Sequence, residues 1–187
     1  MNKTKRAIFD AAIKEFSNNG YSGATMDNIA IQAGVAKGTL YYHFKSKEEI
    51  FNYTITQGME VVSEAVKEAI KDEEDITERL RIVCKVQLGV VYQNREFFNV
   101  VMSQLWGKEM RHSMLREVLK KYIKRIEGYL QEAMDKGAVK KGESSIMSYS
   151  FFGSVCAAAI YETINSSKKL NEIIDTLMGY MLNGIKA

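Results

Sequence analysis

The stretch from Thr25 to Lys47 constrains the fold of this 187-residue chain more than any other part of it. Its sequence, TMDNIAIQAGVAKGTLYYHFKSK, predicts two short helices joined by a tight turn at Gly34. Thr25 is a favourable N-cap for the first helix, because a threonine hydroxyl can accept a hydrogen bond from a free backbone N–H of the first turn. Ser46-Lys47-Glu48-Glu49 forms a full capping box, which predicts that a further helix begins directly afterwards.

The second of these short helices has two distinct faces. Apolar side chains at a spacing of four residues would point into the protein: Ala36, Leu40 and Phe44. The opposite face and its flanks are aromatic or polar: Lys37, Gly38, Thr39, Tyr41, Tyr42 and His43. Glycine in so short a helix costs about 1 kcal/mol relative to alanine. The pattern therefore predicts that another molecule's backbone approaches Gly38 closely.

The remainder of the chain predicts long helices, and proline is absent. Apolar periodicity favours an all-α fold of about nine helices, with a three-helix head at residues 1–47 and a helical body at 48–187. The sixth predicted helix extends from Glu96 to about Trp106, and the last from Leu170 to about Ile185. The eighth, residues 144–165, is apolar nearly all round, which predicts burial on several sides. Its charge-free part is shorter than the ~20 residues of a membrane span.

The last two helices carry surplus apolar surface, which favours a bundle shared with a second copy of the chain. We predict that the dimer interface includes small residues of one helix and part of the apolar stripe of the other: Ser154, Ala158, Ile174, Leu177 and Met181. The alternative is that both helices pack only within their own subunit.

Charge is unevenly distributed along the chain. Residues 1–47 contain seven basic and three acidic side chains, whereas the remaining 140 residues contain 19 and 20. A basic head on a nearly neutral body favours a polyanionic partner, although a solvated surface has the same composition. The charged N-terminal residues do not resemble a signal peptide, and the two cysteines lack a CxxC partner. These features favour a cytoplasmic protein with reduced thiols and no membrane association.

An enzyme is the first competing hypothesis, and the sequence lacks the residues for it. The chain has two histidines, and no Ser/His/Asp or Cys/His constellation, phosphate loop or HExxH motif suggests itself. Glu109 and His112 could supply two metal ligands, but no further ligand set accompanies them. We therefore predict no catalytic residues, no metal site and no cofactor.

Residues 4–55 resemble the TetR family of transcription regulators in the Ala33-Gly34-Val35 turn, the KGTLYYHF helix and the Lys47 start of the next helix. This resemblance implies a homodimer that binds double-stranded DNA through a helix-turn-helix, at a near-palindromic operator. Lys47 would neutralise phosphates, and the Thr25 hydroxyl would hold one. The implied base contacts come from Thr39, Tyr41 and His43, and Tyr42 would bond a phosphate. Tyr41 could instead be half-buried, and His43 could cap its helix.

The resemblance also implies a ligand-responsive body, and aromatic and methionine side chains suit an apolar ligand. The predicted ligand-binding residues are Tyr92, Phe98, Met102, Trp106, Met110, Tyr122 and Phe152, each of which could equally be a core residue. The predicted function is a repressor released from its operator by a small, largely apolar effector. The alternative is a DNA-binding protein of the same fold that organises DNA or answers a protein partner without such a ligand.

Overall fold

The computed structural model describes residues 1–165 and 169–184, which form nine α-helices and no β-strand. In chain order the helices are α1 (Lys3–Gly23), α2 (Met26–Ala33), α3 (Lys37–His43), α4 (Lys47–Ile70), α5 (Ile76–Gln93), α6 (Arg95–Ser103), α7 (Met110–Asp135), α8 (Ser144–Asn165) and α9 (Leu170–Asn183). The predicted all-α fold is confirmed. The sequence pattern extends the last helix to Ile185, which lies outside the described residues.

The described chain divides into two compact units. Unit 1 comprises Met1–Glu60 and Asn94–Leu119, and unit 2 comprises Val61–Gln93 and the described residues from Lys120 onward. Two of the three boundaries fall inside helices, because α4 and α7 each contribute residues to both units, and the third falls between α5 and α6.

The first three helices of unit 1 form as their local sequence predicts. The Thr25 hydroxyl accepts a hydrogen bond of 3.1 Å from the backbone N–H of Asn28, and so caps α2. Gly34 ends that helix in the left-handed region, with φ +66°. At the start of α4, the Ser46 hydroxyl accepts from the N–H of Glu49 at 3.1 Å. The predicted turn and the two hydroxyl caps are therefore confirmed, whereas the Glu49 carboxylate accepts from the Lys45 N–H at 2.7 Å rather than from that of Ser46.

The C-terminal end of α1 differs from the prediction. The sequence predicts an end near Ser17 and a loop from Tyr21 to Ala24, whereas the helix extends to Gly23. Gly20 interrupts it with φ +65° and ψ 174°. This φ lies in the left-handed region, which glycine adopts at little cost. Gly20 therefore breaks the regular helix, as its sequence position after Asn18 and Asn19 predicts, although a further turn follows it. The chain then turns again and presents Tyr21 to the aromatic rings of Phe16 and Phe51.

The second part of unit 1 packs α6 against α1 and α4. The Phe97 ring lies so close to Gly58 that a Cβ there would be 2.2 Å from the ring, which requires glycine at this crossing. Helix α6 ends at Ser103, before the predicted end at Trp106. The Arg116 guanidinium then holds the following loop by donating to the carbonyls of Leu105 (3.2 Å) and Gly107 (2.9 Å).

Unit 2 is built around α5, α8 and α9, whose backbones approach one another closely. Helix α7 does not approach them so closely, and long side chains bridge the wider gap: Arg79 binds Glu132, and Gln87 binds Tyr122. The buried residues of unit 2 are largely apolar, and they include Leu80, Leu88, Ile123, Ile126 and Ile174.

Helix α8 is less buried than its sequence predicts. Several large apolar side chains along it are exposed: Ile146, Tyr149, Ile160, Tyr161 and Ile164. The prediction of a helix buried on several sides is therefore wrong for the single chain. The helix has 22 residues and a mean hydropathy of 1.2 over its most apolar window, so its length and composition alone would suit a membrane span. A helix of a soluble bundle that is covered by a second copy has the same composition.

Candidate functional site

Helix α3 presents its polar face to solvent while its apolar face anchors it. Leu40 is fully buried and Phe44 nearly so, which fixes the rotation of the helix. Ala36, also predicted to point inward, is exposed because it is the N-cap residue before the first turn. Tyr42 is 77% exposed and Tyr41 is 45% exposed. Of the other predicted contact residues, Lys37 and Gly38 are exposed, and Thr39 and His43 are half-buried. The arrangement leaves a row of hydrogen-bonding and aromatic groups on one side of a short helix.

The two helices of this motif are linked by an ion pair at their exposed edge. The ammonium of Lys37 donates to the Asp27 carboxylate at 2.6 Å. This hydrogen bond and the attraction of the carboxylate raise the pKa of Lys37. A phosphate that approached this edge would compete with Asp27 for the same ammonium. Thr25 accepts from Asn28 and retains its own O–H to donate to such a phosphate.

Lys47, a predicted phosphate contact, is held by hydrogen bonds within the protein. Its Nζ donates to the carbonyls of Tyr21 (2.6 Å), Ser22 (3.2 Å) and Ala24 (2.8 Å). An ammonium has three donors, and all three are engaged. Lys47 therefore ties the first turn of α4 to the end of α1, and a direct phosphate contact would require breaking these bonds.

A buried carboxylate that sequence reasoning missed holds α1 against α2. Glu15 is 1% exposed and accepts from the Thr25 N–H (3.3 Å), Asn28 Nδ2 (3.0 Å) and Gln32 Nε2 (2.6 Å). One sequence signal could have found it: Glu15 falls at the i+7 position from Ile8, on the apolar face of α1. An acidic residue on such a face requires internal donors.

The predicted ligand-binding residues are divided between the two units. Phe98, Met102, Trp106 and Met110 belong to unit 1, whereas Tyr92, Tyr122 and Phe152 belong to unit 2. Trp106 is 85% exposed and Met110 is 80% exposed, so neither lines an enclosed space in this chain. The reason is the early end of α6, which places Trp106 in the following loop rather than on the apolar face of the helix. Phe98 and Met102 are half-buried on α6, and Tyr92 is half-buried near the end of α5.

Tyr122 and Phe152 do meet inside unit 2. Their ring centres are 6.3 Å apart in an edge-to-face arrangement, with Tyr122 only 6% exposed. The Tyr122 hydroxyl accepts a hydrogen bond of 2.7 Å from Gln87 Nε2. Burial raises the pKa of this hydroxyl, so it remains protonated. Gln87, which the sequence analysis did not single out, is therefore the polar partner of Tyr122.

An open groove of about 830 Å³ lies along α8 and α9 in unit 2. Four of the five predicted dimerisation residues line it: Ser154, Ala158, Leu177 and Met181. Ile174 is instead 1% exposed and belongs to the core of its own unit, because it faces inward one position away from the groove side of α9. Within residues 1–165 and 169–184, no group of three potential metal ligands occurs.

Comparison with known proteins identifies the family. The sequence profile described as "Bacterial regulatory proteins, tetR family" matches residues 8–54, which contain α2 and α3. The profile described as "YsiA-like protein, C-terminal region" matches residues 55–159. The chain belongs to the TetR family. It is a DNA-binding transcription regulator, as the resemblance in its sequence implied.

Several TetR-family relatives match nearly the whole chain. A solved structure of a proposed fatty acid metabolism regulator from Clostridium perfringens is 44% identical, with a TM-score of 0.89 and coverage of 97% of this chain and 99% of that one. The transcriptional regulator FadR from Bacillus subtilis, solved in complex with stearoyl-CoA, is 27% identical, with a TM-score of 0.84 and coverage of 97% and 99%. The fatty acid metabolism regulator protein of Bacillus subtilis (strain 168) is 27% identical over 95% of this chain and 93% of its own length.

Proposed function

We propose that this regulator represses its target operator and is released from it by a long-chain fatty acyl-CoA. The observation that carries the proposal is the similarity, over nearly the full length of both chains, to FadR in its complex with stearoyl-CoA. The 44% identical relative from Clostridium perfringens, described as a proposed fatty acid metabolism regulator, supports the same effector class.

Two features of the chain suit such a ligand. The interior of unit 2 is apolar, and the gap between α7 and the other helices of the unit is filled by side chains rather than by close backbone packing. Coenzyme A carries several phosphate charges, and the segment from Lys108 to Arg125 contains seven basic and two acidic side chains. Lys120, Lys121 and Lys124 of this segment are exposed on α7. The acyl chain would lie in the apolar interior of unit 2, and the phosphates of coenzyme A would pair with these exposed lysines.

Operator recognition is assigned to residues 1–47, and effector binding and dimerisation to residues 48–187. The exposed side chains Lys37, Tyr41 and Tyr42 would contact DNA, with Thr39 and His43 at the edges and Gly38 allowing close approach. Thr25 and the N-terminus of α2 would hold a phosphate. Lys47 and Glu15 would act as positioning residues that fix the motif. The proposal includes no catalytic reaction, and it places the protein in the cytoplasm with the DNA.

The dimer would form along the groove of α8 and α9. The exposed apolar residues of α8 lie on the helix that lines this groove, and a second copy would cover them. Ala157→Arg, which puts a charge at an exposed groove position, should shift the protein to monomer in analytical ultracentrifugation. Gln131→Arg, at an exposed position of α7 that does not line the groove, should leave the dimer intact.

The central experiment measures operator binding by fluorescence anisotropy on a near-palindromic fragment from the gene's own upstream region. Stearoyl-CoA should release the DNA at micromolar concentration, whereas free coenzyme A and stearate should not. Tyr42→Ala combined with Lys37→Ala should abolish specific binding. If the wild-type protein binds its operator and no acyl-CoA of any chain length releases it, the acyl-CoA proposal is wrong. The ligand-independent alternative would then be favoured.

A further inference from the structure

Unit 2 contains a buried polar pair whose hydrogen bonding is incomplete. Gln87 on α5 is 5% exposed and Tyr122 on α7 is 6% exposed. Gln87 Nε2 donates to the Tyr122 hydroxyl at 2.7 Å, and Gln87 Oε1 is buried without a hydrogen-bond partner among the described residues. A buried polar atom with no partner costs about 1–3 kcal/mol of folding free energy, so the buried Oε1 atom requires an explanation.

The orientation of the Gln87 amide does not remove this deficit. In the orientation described, the Tyr122 hydroxyl accepts from the amide and has its own hydrogen to donate, while Oε1 can accept. If the amide is turned over, the hydroxyl donates to Oε1 and the amide NH₂ has hydrogens to donate instead. In both orientations, an O–H of Tyr122 or an N–H of Gln87 remains available to donate a hydrogen bond to a carbonyl oxygen.

The surroundings of the pair suit a ligand that is mostly hydrocarbon. The Phe152 ring packs edge-to-face on Tyr122 and is half-buried. The buried side chains near these residues along α5 and α7 are apolar: Val83, Cys84, Leu88, Ile123 and Ile126. A long acyl chain has one polar group, its carbonyl, and that group would be buried most favourably where a donor is already present.

We propose that the Gln87–Tyr122 pair binds the thioester carbonyl of the effector, with the acyl chain inserted between α7 and the helices α5 and α8. The inference rests on the proposed acyl-CoA effector and identifies the residues that bind its carbonyl group. In the orientation described, Oε1 of Gln87 also accepts from the amide N–H that follows the thioester sulfur in coenzyme A. The pair then satisfies its hydrogen bonding only when the ligand is present.

The test compares two ligands that differ only at the carbonyl. Stearoyl-CoA and its thioether analogue S-octadecyl-CoA, in which a CH₂ group replaces the carbonyl, are titrated into the wild-type protein by calorimetry. The same titrations are made with a Gln87→Met plus Tyr122→Phe variant, which removes both polar groups and leaves no orphaned partner. Tyr129→Phe is the matched control, since it removes a hydroxyl from a half-buried tyrosine on the same helix. Circular dichroism confirms that each variant is helical and melts cooperatively.

Wild type and the Tyr129→Phe control should bind the thioester about threefold to tenfold more tightly than the thioether, which is the range of one net hydrogen bond. The Gln87→Met plus Tyr122→Phe variant should bind both ligands equally. If wild type binds the two ligands equally, or the double variant keeps the preference, the assignment of the pair is wrong while the acyl-CoA effector stands. If wild type binds neither ligand, the effector proposal itself fails.

Discussion

The guanidinium carbon of Arg111 lies 4.1 Å from the centre of the Tyr21 ring, which joins the first turn of α7 to the end of α1 within unit 1. Lys47 Nζ lies 4.7 Å from the same ring centre. The ring also stacks on Phe16 at 5.9 Å and meets the edge of Phe51 at 5.3 Å. The residues that hold the DNA-binding motif are thereby connected to the helix that also enters the proposed effector-binding unit.

A double-mutant cycle measures this connection. Arg111→Met and Tyr21→Leu each lower the free energy of unfolding, and together they should cost less than the sum of the single changes. The expected coupling is about 0.5–2 kcal/mol, the range of a cation–π contact that is partly shielded from water. Urea denaturation of the four proteins gives the value. Lys121→Met, at an exposed position of the same helix, should show no coupling with Tyr21→Leu. Additive single changes would mean that the contact is incidental.

We expect His112 to make the stability of unit 1 sensitive to acid. It is 6% exposed, and its Nδ1 accepts from the Glu109 N–H at 3.0 Å. Burial lowers the pKa of His112 first, and the charges of Arg111 and Arg116 lower it further. The unfolded chain therefore binds more protons than the folded chain below the ordinary pKa of about 6.5, and the free energy of unfolding falls as the pH falls through that range.

The measurement is urea denaturation between pH 5 and pH 8. His112→Gln keeps an acceptor for the Glu109 N–H and cannot titrate, so its pH dependence should be smaller than that of the wild type. His43→Gln, which removes the other imidazole of the chain, is the matched control. Equal pH slopes for His112→Gln and wild type would show that another group causes the acid sensitivity.

Glu15 should be essential for the stability of the head. Glu15→Gln replaces one accepting oxygen by a donating NH₂ group, which opposes the donors Asn28 Nδ2 and Gln32 Nε2. We expect a loss of about 1–3 kcal/mol in the free energy of unfolding, with weaker operator binding because α1 and α2 separate. Asp10→Asn is the matched control, since it changes the same charge at an exposed position of the same helix. A stable Glu15→Gln variant would contradict the positioning role.

The sequence predicted the parts of this motif that depend on neighbouring residues. The Thr25 cap, the turn at Gly34 and the faces of α3 each follow from side chains within about one helical turn. The hydrogen-bond partners of Glu15 and Lys47 could not be assigned this way, since they are 10 to 26 residues distant along the chain. Trp106 was misplaced for a related reason: its position depends on where α6 ends, and the Arg116 contacts that hold the following loop come from another helix.

The two lysines of the motif should affect operator binding in different ways. Lys37→Met removes an exposed cation beside the α3 face, so the slope of log K against log salt concentration should decrease in magnitude by about 1. Lys47→Met removes three internal hydrogen bonds. It should lower the free energy of unfolding by about 1.5–3 kcal/mol and leave the salt slope unchanged. Anisotropy titrations at several salt concentrations separate the two. A smaller salt slope for Lys47→Met would show that Lys47 reaches a phosphate after all.

Gly38 provides a test in which stability and function should change in opposite directions. A Cβ at Gly38 meets no heavy atom within 4 Å in the protein itself, and its backbone is helical. Gly38→Ala should therefore raise the free energy of unfolding, by up to about 1 kcal/mol. The added methyl group faces the side of α3 that presents Lys37 and Tyr42, so it should reduce operator affinity if the DNA backbone or a base edge approaches there. Gly128→Ala, on the exposed side of α7 with equally open space, should stabilise without affecting DNA. An unchanged operator affinity for Gly38→Ala would mean that the duplex does not reach this face of the helix.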